Sequence, residues 1–202
     1  MRRLFLLSPA STAGKRTRIL LSPRASFPLA QRVRSDGAGI GEVFAFLSGL
    51  YFRGKLTYAN HFAGTEHTVR VITCDRGLVP PDLAVTATDL KKMGRGDIDL
   101  DHRPYRRPLE KDAAQLAAQL DPDGEVILLG SIATGKYAEL LHAAFGERLK
   151  FPETFVGRGD MSRGGLLLRA ARENRELSYI SWAGAVVHGQ RPARLPPLRR
   201  AG

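Results

Sequence analysis

The 202-residue sequence has 43% hydrophobic and 25% charged residues, an ordinary globular composition that excludes a disordered chain, a collagen-like repeat and a disulfide scaffold. Its unusual property is a formal net charge of +11, from 31 Lys and Arg against 20 Asp and Glu. Such an excess favours a polyanionic partner or substrate and says nothing about the fold. The single cysteine, Cys74, cannot form an intrachain disulfide, so we expect a cytoplasmic protein.

The excess positive charge lies at the two ends of the sequence. Residues 1–35 contain eight basic residues and no acidic one, and residues 191–202 contain four basic residues and no acidic one. We expect residues 1–190 to form one α/β domain, and residues 191–202, which are rich in Pro and Arg, to form a flexible tail. The tail either contacts a phosphate backbone or only improves solubility.

Short apolar runs bounded by Gly, Pro or Ser alternate along the chain with segments of helical period. Strands are predicted over residues 4–8, 68–73, 125–129, 148–155 and 177–181. Helices are predicted over residues 28–34, 51–62, 108–120, 136–145 and 163–174, with a shorter one over residues 42–47 that is interrupted at Ser48-Gly49. This alternation predicts a single-domain, Rossmann-like three-layer sandwich with a mostly parallel sheet.

Neither a signal peptide nor a membrane-spanning segment is expected. The run over residues 4–7 is too short for the apolar region of a signal peptide, which needs about 7–15 residues, and is interpreted as the first strand. No run approaches the roughly 18–20 apolar residues of a membrane span, so no membrane partner is expected.

The turn after the strand at residues 125–129 matches the pattern GxxxxGK, in which backbone amides and a lysine hold phosphates. Tyr137 stands where a P-loop enzyme needs Ser or Thr for magnesium. An anion or nucleotide site of another kind, plain turn chemistry and an atypical P-loop therefore remain as alternatives. The candidate ligand-binding residues of this turn are Gly130, Ser131, Thr134, Gly135 and Lys136.

The turn after the first strand has a similar order of residue types. Four apolar residues lead through Ser8 and a loop of small residues to Gly14-Lys15 and a short amphipathic helix. If both turns lie at one edge of the sheet, Lys15 and Lys136 can face one anion. A chance resemblance is the alternative.

A third turn, residues 157–165, contains four glycines, which permit close approach of the backbone to a ligand. Arg158 and Arg163 offer fork-shaped donors for phosphate or carboxylate. Asp160 is a candidate catalytic residue, and Ser162 is a candidate ligand-binding residue. Capping of the following helix by Asp160 or Ser162 is the alternative.

A fourth loop follows the strand at residues 68–73. Asp75 would lie at the carboxyl end of this strand, where a general base or a ribose ligand is expected, and Arg76 could orient it by an ion pair. Cys74 is expected to be a buried, unreactive thiol.

Neither a metal nor a cofactor is predicted. Asp97, Asp99 and Asp101 alternate with apolar residues and would share one face of an extended segment, most simply a solvated loop. The five histidines show no spacing typical of a zinc site.

Three short motifs carry a resemblance to a known family. Residues 51–59 read Tyr-x-x-x-Lys-x-x-Tyr-Ala, residues 77–82 read Gly-Leu-x-x-Pro-Asp, and Pro104-Tyr105 follows later. These motifs resemble a bacterial family of uncharacterised small α/β domains, distantly similar to peroxide-stress proteins and to glycosylase-like domains of base modification. The resemblance implies a Rossmann-like sheet and a role in nucleic-acid metabolism. Arg106 stands where an acidic residue is expected after the tyrosine, so no acidic functional residue is carried over.

The sequence favours an enzyme that processes a nucleotide, a nucleoside or a nucleic-acid base, with cleavage or transfer of an N-glycosidic bond as the favoured reaction. Lys15, Lys136 and Arg163 would hold phosphate, and Asp75 or Asp160 would act as the base or stabilise positive charge on the sugar. One alternative is a non-enzymatic DNA- or RNA-binding module that uses the basic ends. Another is an atypical P-loop-like nucleotide binder.

Overall fold

A computed structural model describes residues 1–64, 68–132, 136–185, 189–190, 192–193 and 195. Within these residues the chain is a mixed α/β protein with eight α-helices and a six-stranded, mostly parallel sheet. The strands are β1 (Arg3–Leu7), β2 (Ala38–Gly39), β3 (Val69–Ile72), β4 (Leu78–Val79), β5 (Ala84–Val85), β6 (Glu125–Leu129), β7 (Leu149–Pro152) and β8 (Tyr179–Ser181). The helices are α1 (Lys15–Leu20), α2 (Pro28–Arg34), α3 (Ile40–Ser48), α4 (Leu50–Phe62), α5 (Ala87–Met93), α6 (Arg103–Gln119), α7 (Ala138–Phe145) and α8 (Asp160–Arg172).

The six-stranded sheet has the order β4-β3-β1-β6-β7-β8. Strands β3, β1, β6 and β7 are parallel, and β4 and β8 are antiparallel edge strands. From β1 the chain first adds β3 on one side and later adds β6 on the other side. The loops that leave the carboxyl ends of β1 and β6 therefore run in opposite directions. In open α/β sheets a ligand crevice forms between two such loops.

Strand β1 is buried on both faces, which explains its continuous apolar sequence. Phe5 and Leu7 pack into a core with α1, α2, α3, α4, α5 and α8. Leu4 and Leu6 face the other way, into a second core with α6 and α7. Helices thus cover both faces of the sheet.

Helices α4 and α8 cross with their backbones in contact. A Cβ atom added to Gly54 would lie 2.6 Å from the Gly164 carbonyl oxygen, and one added to Gly164 would lie 2.7 Å from the Leu50 carbonyl oxygen. Glycine is required on both helices because any side chain would push them apart. The crossing also brings the next residue of α4, Lys55, close to the start of α8.

The largest differences between predicted and observed elements concern two helix starts and the end of one strand. The strand predicted over residues 148–155 is confirmed only over Leu149–Pro152, and Glu153–Phe155 form a 3-10 helix. Helix α6 begins at Arg103, five residues before the predicted start at Pro108, which lies inside the helix. Tyr105 is fully buried and its hydroxyl donates to the Lys136 carbonyl oxygen at 2.9 Å, and this contact holds the earlier turn in place. Helix α8 begins at Asp160, three residues before the predicted start.

The shortest elements were not predicted. Strands β2, β4 and β5 have two residues each, too few for a periodic pattern. Helix α5 did carry a signal, since Thr86 and Asp89 form a capping box at its start. The predicted interruption at Ser48-Gly49 is confirmed, because Gly49 separates α3 from α4 with φ +67°.

None of the described helices is long and apolar enough to cross a bilayer. Most of the predicted tail, residues 191–202, lies outside the described residues.

Replacing Gly54 with Ala should destabilise the protein, because the new methyl group meets the backbone of α8 rather than a movable side chain. Overpacking of this kind costs about 1–3 kcal/mol. The matched control is Gly165→Ala on α8, where the nearest atom to a new Cβ is 3.7 Å away and the helix gains propensity. Urea unfolding measures both variants, and equal free energies of unfolding would contradict the close crossing.

Candidate functional site

A cavity of about 580 Å³ opens at the carboxyl ends of β1 and β6. It is lined by the β1–α1 turn, the β6–α7 turn, one face of α4 and the start of α8. The predicted site residues that line it are Ser8, Lys15, Ser131, Lys136 and Asp160. The two lysine-bearing turns therefore share one cavity at one edge of the sheet.

The floor of this cavity contains a buried lysine. Lys55 on α4 is 1% exposed, and its Nζ donates to the Ser8 carbonyl oxygen at 2.6 Å and lies 2.8 Å from Ser8 Oγ. The rings of Tyr51 and Phe52 lie 4.6 and 4.7 Å from Nζ. No Asp or Glu of the described residues is within ion-pair distance of Lys55. A buried amine without an ionic partner is costly to the fold and is therefore a candidate functional group.

Burial lowers the pKa of Lys55 from 10.5 to about 7. The Asp160 carboxylate acts in the opposite direction, and the Arg163 guanidinium adds to the lowering. The neutral amine is therefore well populated at neutral pH. Lys55 was not predicted as a site residue, although its position on the apolar face of the helix with Tyr51 and Tyr58 was a usable signal.

Ser8, Gly130 and Tyr137 meet beside Lys55. A Cβ added to Gly130 would lie 2.8 Å from Ser8 Cβ and 2.9 Å from the Tyr137 hydroxyl oxygen, so a side chain is excluded at this position. Burial raises the pKa of Tyr137, although hydrogen bonds with Ser8 and the Ser131 backbone oppose the shift. The Tyr137 hydroxyl therefore stays protonated and faces the serine.

Two buried hydroxyl groups of the cavity wall lack hydrogen-bond partners among the described residues. They belong to Thr17 and Tyr51, which are 5% and 6% exposed. The Tyr51 hydroxyl lies near Arg163 without a hydrogen bond of good geometry, and burial raises its pKa. Both oxygens are enclosed by neighbouring protein atoms and are closed to solvent.

The start of α8 contributes one carboxylate to the cavity and one structural arginine. Asp160 is 69% exposed at the rim, with Oδ1 3.9 Å from Arg163 Nη1. The Arg163 guanidinium is buried and donates through Nε and Nη2 to the Phe155 carbonyl oxygen at 3.2 and 2.9 Å. Arg163 thus supports the rim and does not line the cavity.

Other predicted site residues lie elsewhere. Arg158 donates to Ser162 Oγ at 3.2 Å, and both residues border a groove that holds Ala193. Asp75 forms the predicted ion pair with Arg76 through two contacts of 3.0 Å and does not line the cavity. Thr134 and Gly135 lie outside the described residues.

Cys74 is 8% exposed, and burial raises the pKa of its thiol. Asp97, Asp99 and Asp101 are exposed, while the apolar residues between them are partly buried. No cluster of three potential metal ligands occurs among the residues that the structure describes.

The lowered pKa of Lys55 makes stability depend on pH. Between about pH 7 and the ordinary lysine pKa, the unfolded chain keeps a proton that the folded chain has lost, so stability increases with pH. The slope is at most about 1.4 kcal/mol per pH unit. Lys55→Met removes it, so the free energy of unfolding of wild type should increase relative to the variant between pH 7 and 10. Urea unfolding at several pH values measures the difference, and parallel curves for the two proteins would exclude the shift.

Comparison with known proteins supplies no relative. No protein-family model matches the chain, and neither the curated proteins nor the solved structures include a significant match. The family resemblance expected from residues 51–59 and 77–82 therefore stays a prediction, and the site is defined by its geometry alone.

Proposed function

We propose that the chain is an enzyme that processes a nucleotide, a nucleoside or the base of a nucleic acid, and that it binds the phosphate of its ligand in the cavity between β1 and β6. The observation that carries the proposal is the convergence of three lysines on one cavity. Lys15 and Lys136 come from two turns of similar sequence, and Lys55 comes from α4. Lysines on a parallel-sheet edge are a common means of binding phosphate.

The size and polarity of the cavity suit such a ligand. Its volume of about 580 Å³ lies within the range of small-molecule sites. Lys15 and Lys136 supply positive charge on its wall, where an anionic group would bind. We also propose that the chain folds as a single-domain, Rossmann-like sandwich and acts in the cytoplasm.

Cleavage or transfer of an N-glycosidic bond remains the favoured reaction of this proposal. It needs a carboxylate near the sugar, and Asp160 is the candidate since its side chain lines the cavity. Asp75 is less suited because its carboxylate is engaged by Arg76. The alternative of a P-loop-like binder is weakened by Tyr137, which directs its hydroxyl toward Ser8.

Lys136→Ala should weaken nucleotide binding more than tenfold because it removes one cation from the cavity wall. Isothermal titration calorimetry with a panel of nucleoside mono-, di- and triphosphates measures the change. Lys111→Ala is the matched control, since it removes the same charge from an exposed position of α6 outside the cavity. Equal affinities of the two variants would remove Lys136 from the site, and no binding of any nucleotide by wild type would refute the proposal.

A non-enzymatic DNA- or RNA-binding module is the second candidate. Arg18 lies on α1 and Arg24 follows it, and both side chains are exposed. Neither forms an ion pair with a described residue, and α1 begins with Lys15 at the cavity. A nucleic-acid backbone could therefore run from the cavity across α1.

The double variant Arg18→Ala/Arg24→Ala tests this surface. If both arginines contact phosphates, the slope of log K against log salt for an oligonucleotide should become less steep by roughly 1.5–2. Fluorescence anisotropy at several salt concentrations gives the slope. Lys111→Ala/Arg172→Ala removes two exposed charges elsewhere and should leave it unchanged. Equal slopes for both double variants would exclude α1 as a nucleic-acid surface.

A further inference from the structure

The floor of the cavity places a hydroxyl group and an amine within hydrogen-bond distance. Ser8 Oγ lies 2.8 Å from Lys55 Nζ, and both residues line the cavity. We propose that Ser8 is a nucleophile with Lys55 as its general base, and that it accepts a phosphoryl group from an anionic phosphoester. The identity of this substrate rests on the proposed function, whereas the reactivity of Ser8 does not. Phosphoryl transfer to Ser8 is an alternative to N-glycosidic cleavage, so only one of the two is the reaction of this cavity.

The contacts of Lys55 orient its amine for this role. In the structure Nζ donates to the Ser8 carbonyl oxygen at 2.6 Å and to Ser8 Oγ at 2.8 Å. When the amine loses its proton, the lone pair at the 2.8 Å contact accepts the Ser8 hydroxyl proton. The faces of Tyr51 and Phe52 enclose Nζ and keep bulk water away. A nucleophile beside a positioned base is the arrangement that covalent catalysis requires.

Charged and titratable groups face Lys55 from α8 and from the wall of the cavity. On α8, Asp160 favours the ammonium form and Arg163 opposes it, but burial is the largest influence and lowers the pKa to about 7. A base of this pKa is deprotonated in a large fraction of molecules at neutral pH. The remaining groups on the cavity wall are Lys15, Arg16, Tyr51, Lys136 and Tyr137.

A phosphorus atom is the electrophile that the cavity suits best. Lys15 and Lys136 can hold the non-bridging oxygens of a phosphoester, whose negative charge must be balanced before a nucleophile approaches. The absence of a side chain at Gly130 lets Ser8 and the Tyr137 hydroxyl pack directly against the turn after β6.

The reaction balances without a cofactor. Ser8 Oγ forms a bond to phosphorus and its proton passes to Lys55 Nζ, while the bond from phosphorus to the leaving oxygen breaks. The leaving oxygen keeps the electron pair and takes a proton from solvent. Water then attacks the phosphoserine and gives one proton to solvent, the P–Oγ bond breaks, and Lys55 returns its proton to Oγ. The net change is hydrolysis of a phosphoester to an alcohol and phosphate.

An alkyl fluorophosphonate tests the nucleophile directly, because it phosphonylates an activated serine with loss of fluoride. We expect one label per chain, located at Ser8 by peptide mass spectrometry. The rate of labelling should increase with pH through the region near pH 7, where Lys55 loses its proton. No label, a label at another residue, or a rate independent of pH in this region would overturn the proposal.

Three substitutions identify the base. Ser8→Ala should abolish labelling, and Lys55→Met should slow it at least a hundredfold. Lys55→Arg should be slow at every pH near neutrality, since guanidinium keeps its proton. Ser35→Ala is the control, because Ser35 is an exposed serine outside the cavity whose hydroxyl donates to the carbonyl oxygens of Gln31 and Arg32. It should label at the wild-type rate, and labelling of Lys55→Met at that rate would exclude Lys55 as the base.

The two proposals can fail separately. Labelling of Ser8 in a protein that binds no nucleotide would support Ser8 as a nucleophile and refute the proposed nucleotide ligand. Nucleotide binding that depends on Lys136, without labelling of Ser8, would support the nucleotide ligand and refute Ser8 as a nucleophile. Release of a free base from a nucleotide, rather than phosphate, would also exclude phosphoryl transfer as the reaction of this site.

Discussion

The candidate site depends on how one lysine amine is accommodated inside the protein. Burying an ammonium group costs several kcal/mol unless an opposite charge compensates it. At Lys55 the compensation is neutral, from the carbonyl and hydroxyl oxygens of Ser8 and the faces of two aromatic rings. These contacts stabilise the buried amine enough to permit folding, but they do not offset the lowering of its pKa by burial. The unusual chemistry of the cavity follows from that partial compensation.

Much of the fold could be predicted from the sequence, because the central strands are continuous apolar runs followed by turns rich in small residues. The predicted bounds of β6 match the structure, and the turns after β1 and β6 lie together because parallel strands end at one edge. The exact start of α6 was not predictable, since it depends on a contact between Tyr105 and a residue far along the chain. Local periodicity carries no information about such contacts.

The sequence predicted the wall of the candidate site, together with Ser8 and Asp160, but not the lysine on its floor. Lys15 and Lys136 were visible because they follow glycine in two similar turns, whereas Lys55 lies within a helix where its period suggested packing. Its partner Ser8 lies 47 positions away, so the pair exists only in the folded chain. Asp75 illustrates the opposite difficulty, since its place after a strand suggested catalysis while its carboxylate binds Arg76. Sequence position indicates which groups reach an edge of a sheet, and tertiary contacts decide which of them face a cavity.

The crossing of α4 and α8 also determines how two parts of the cavity are placed. The two helices touch at Gly54 and Gly164 without side chains between them, and the ring of His61 on α4 is hydrogen bonded to Asn174 at 2.8 Å. Helix α4 carries the amine on the floor, and α8 carries the carboxylate of Asp160 on the rim. The spacing of these two groups is therefore set by a contact between two backbones. A side chain at either glycine would alter that spacing although neither glycine lines the cavity.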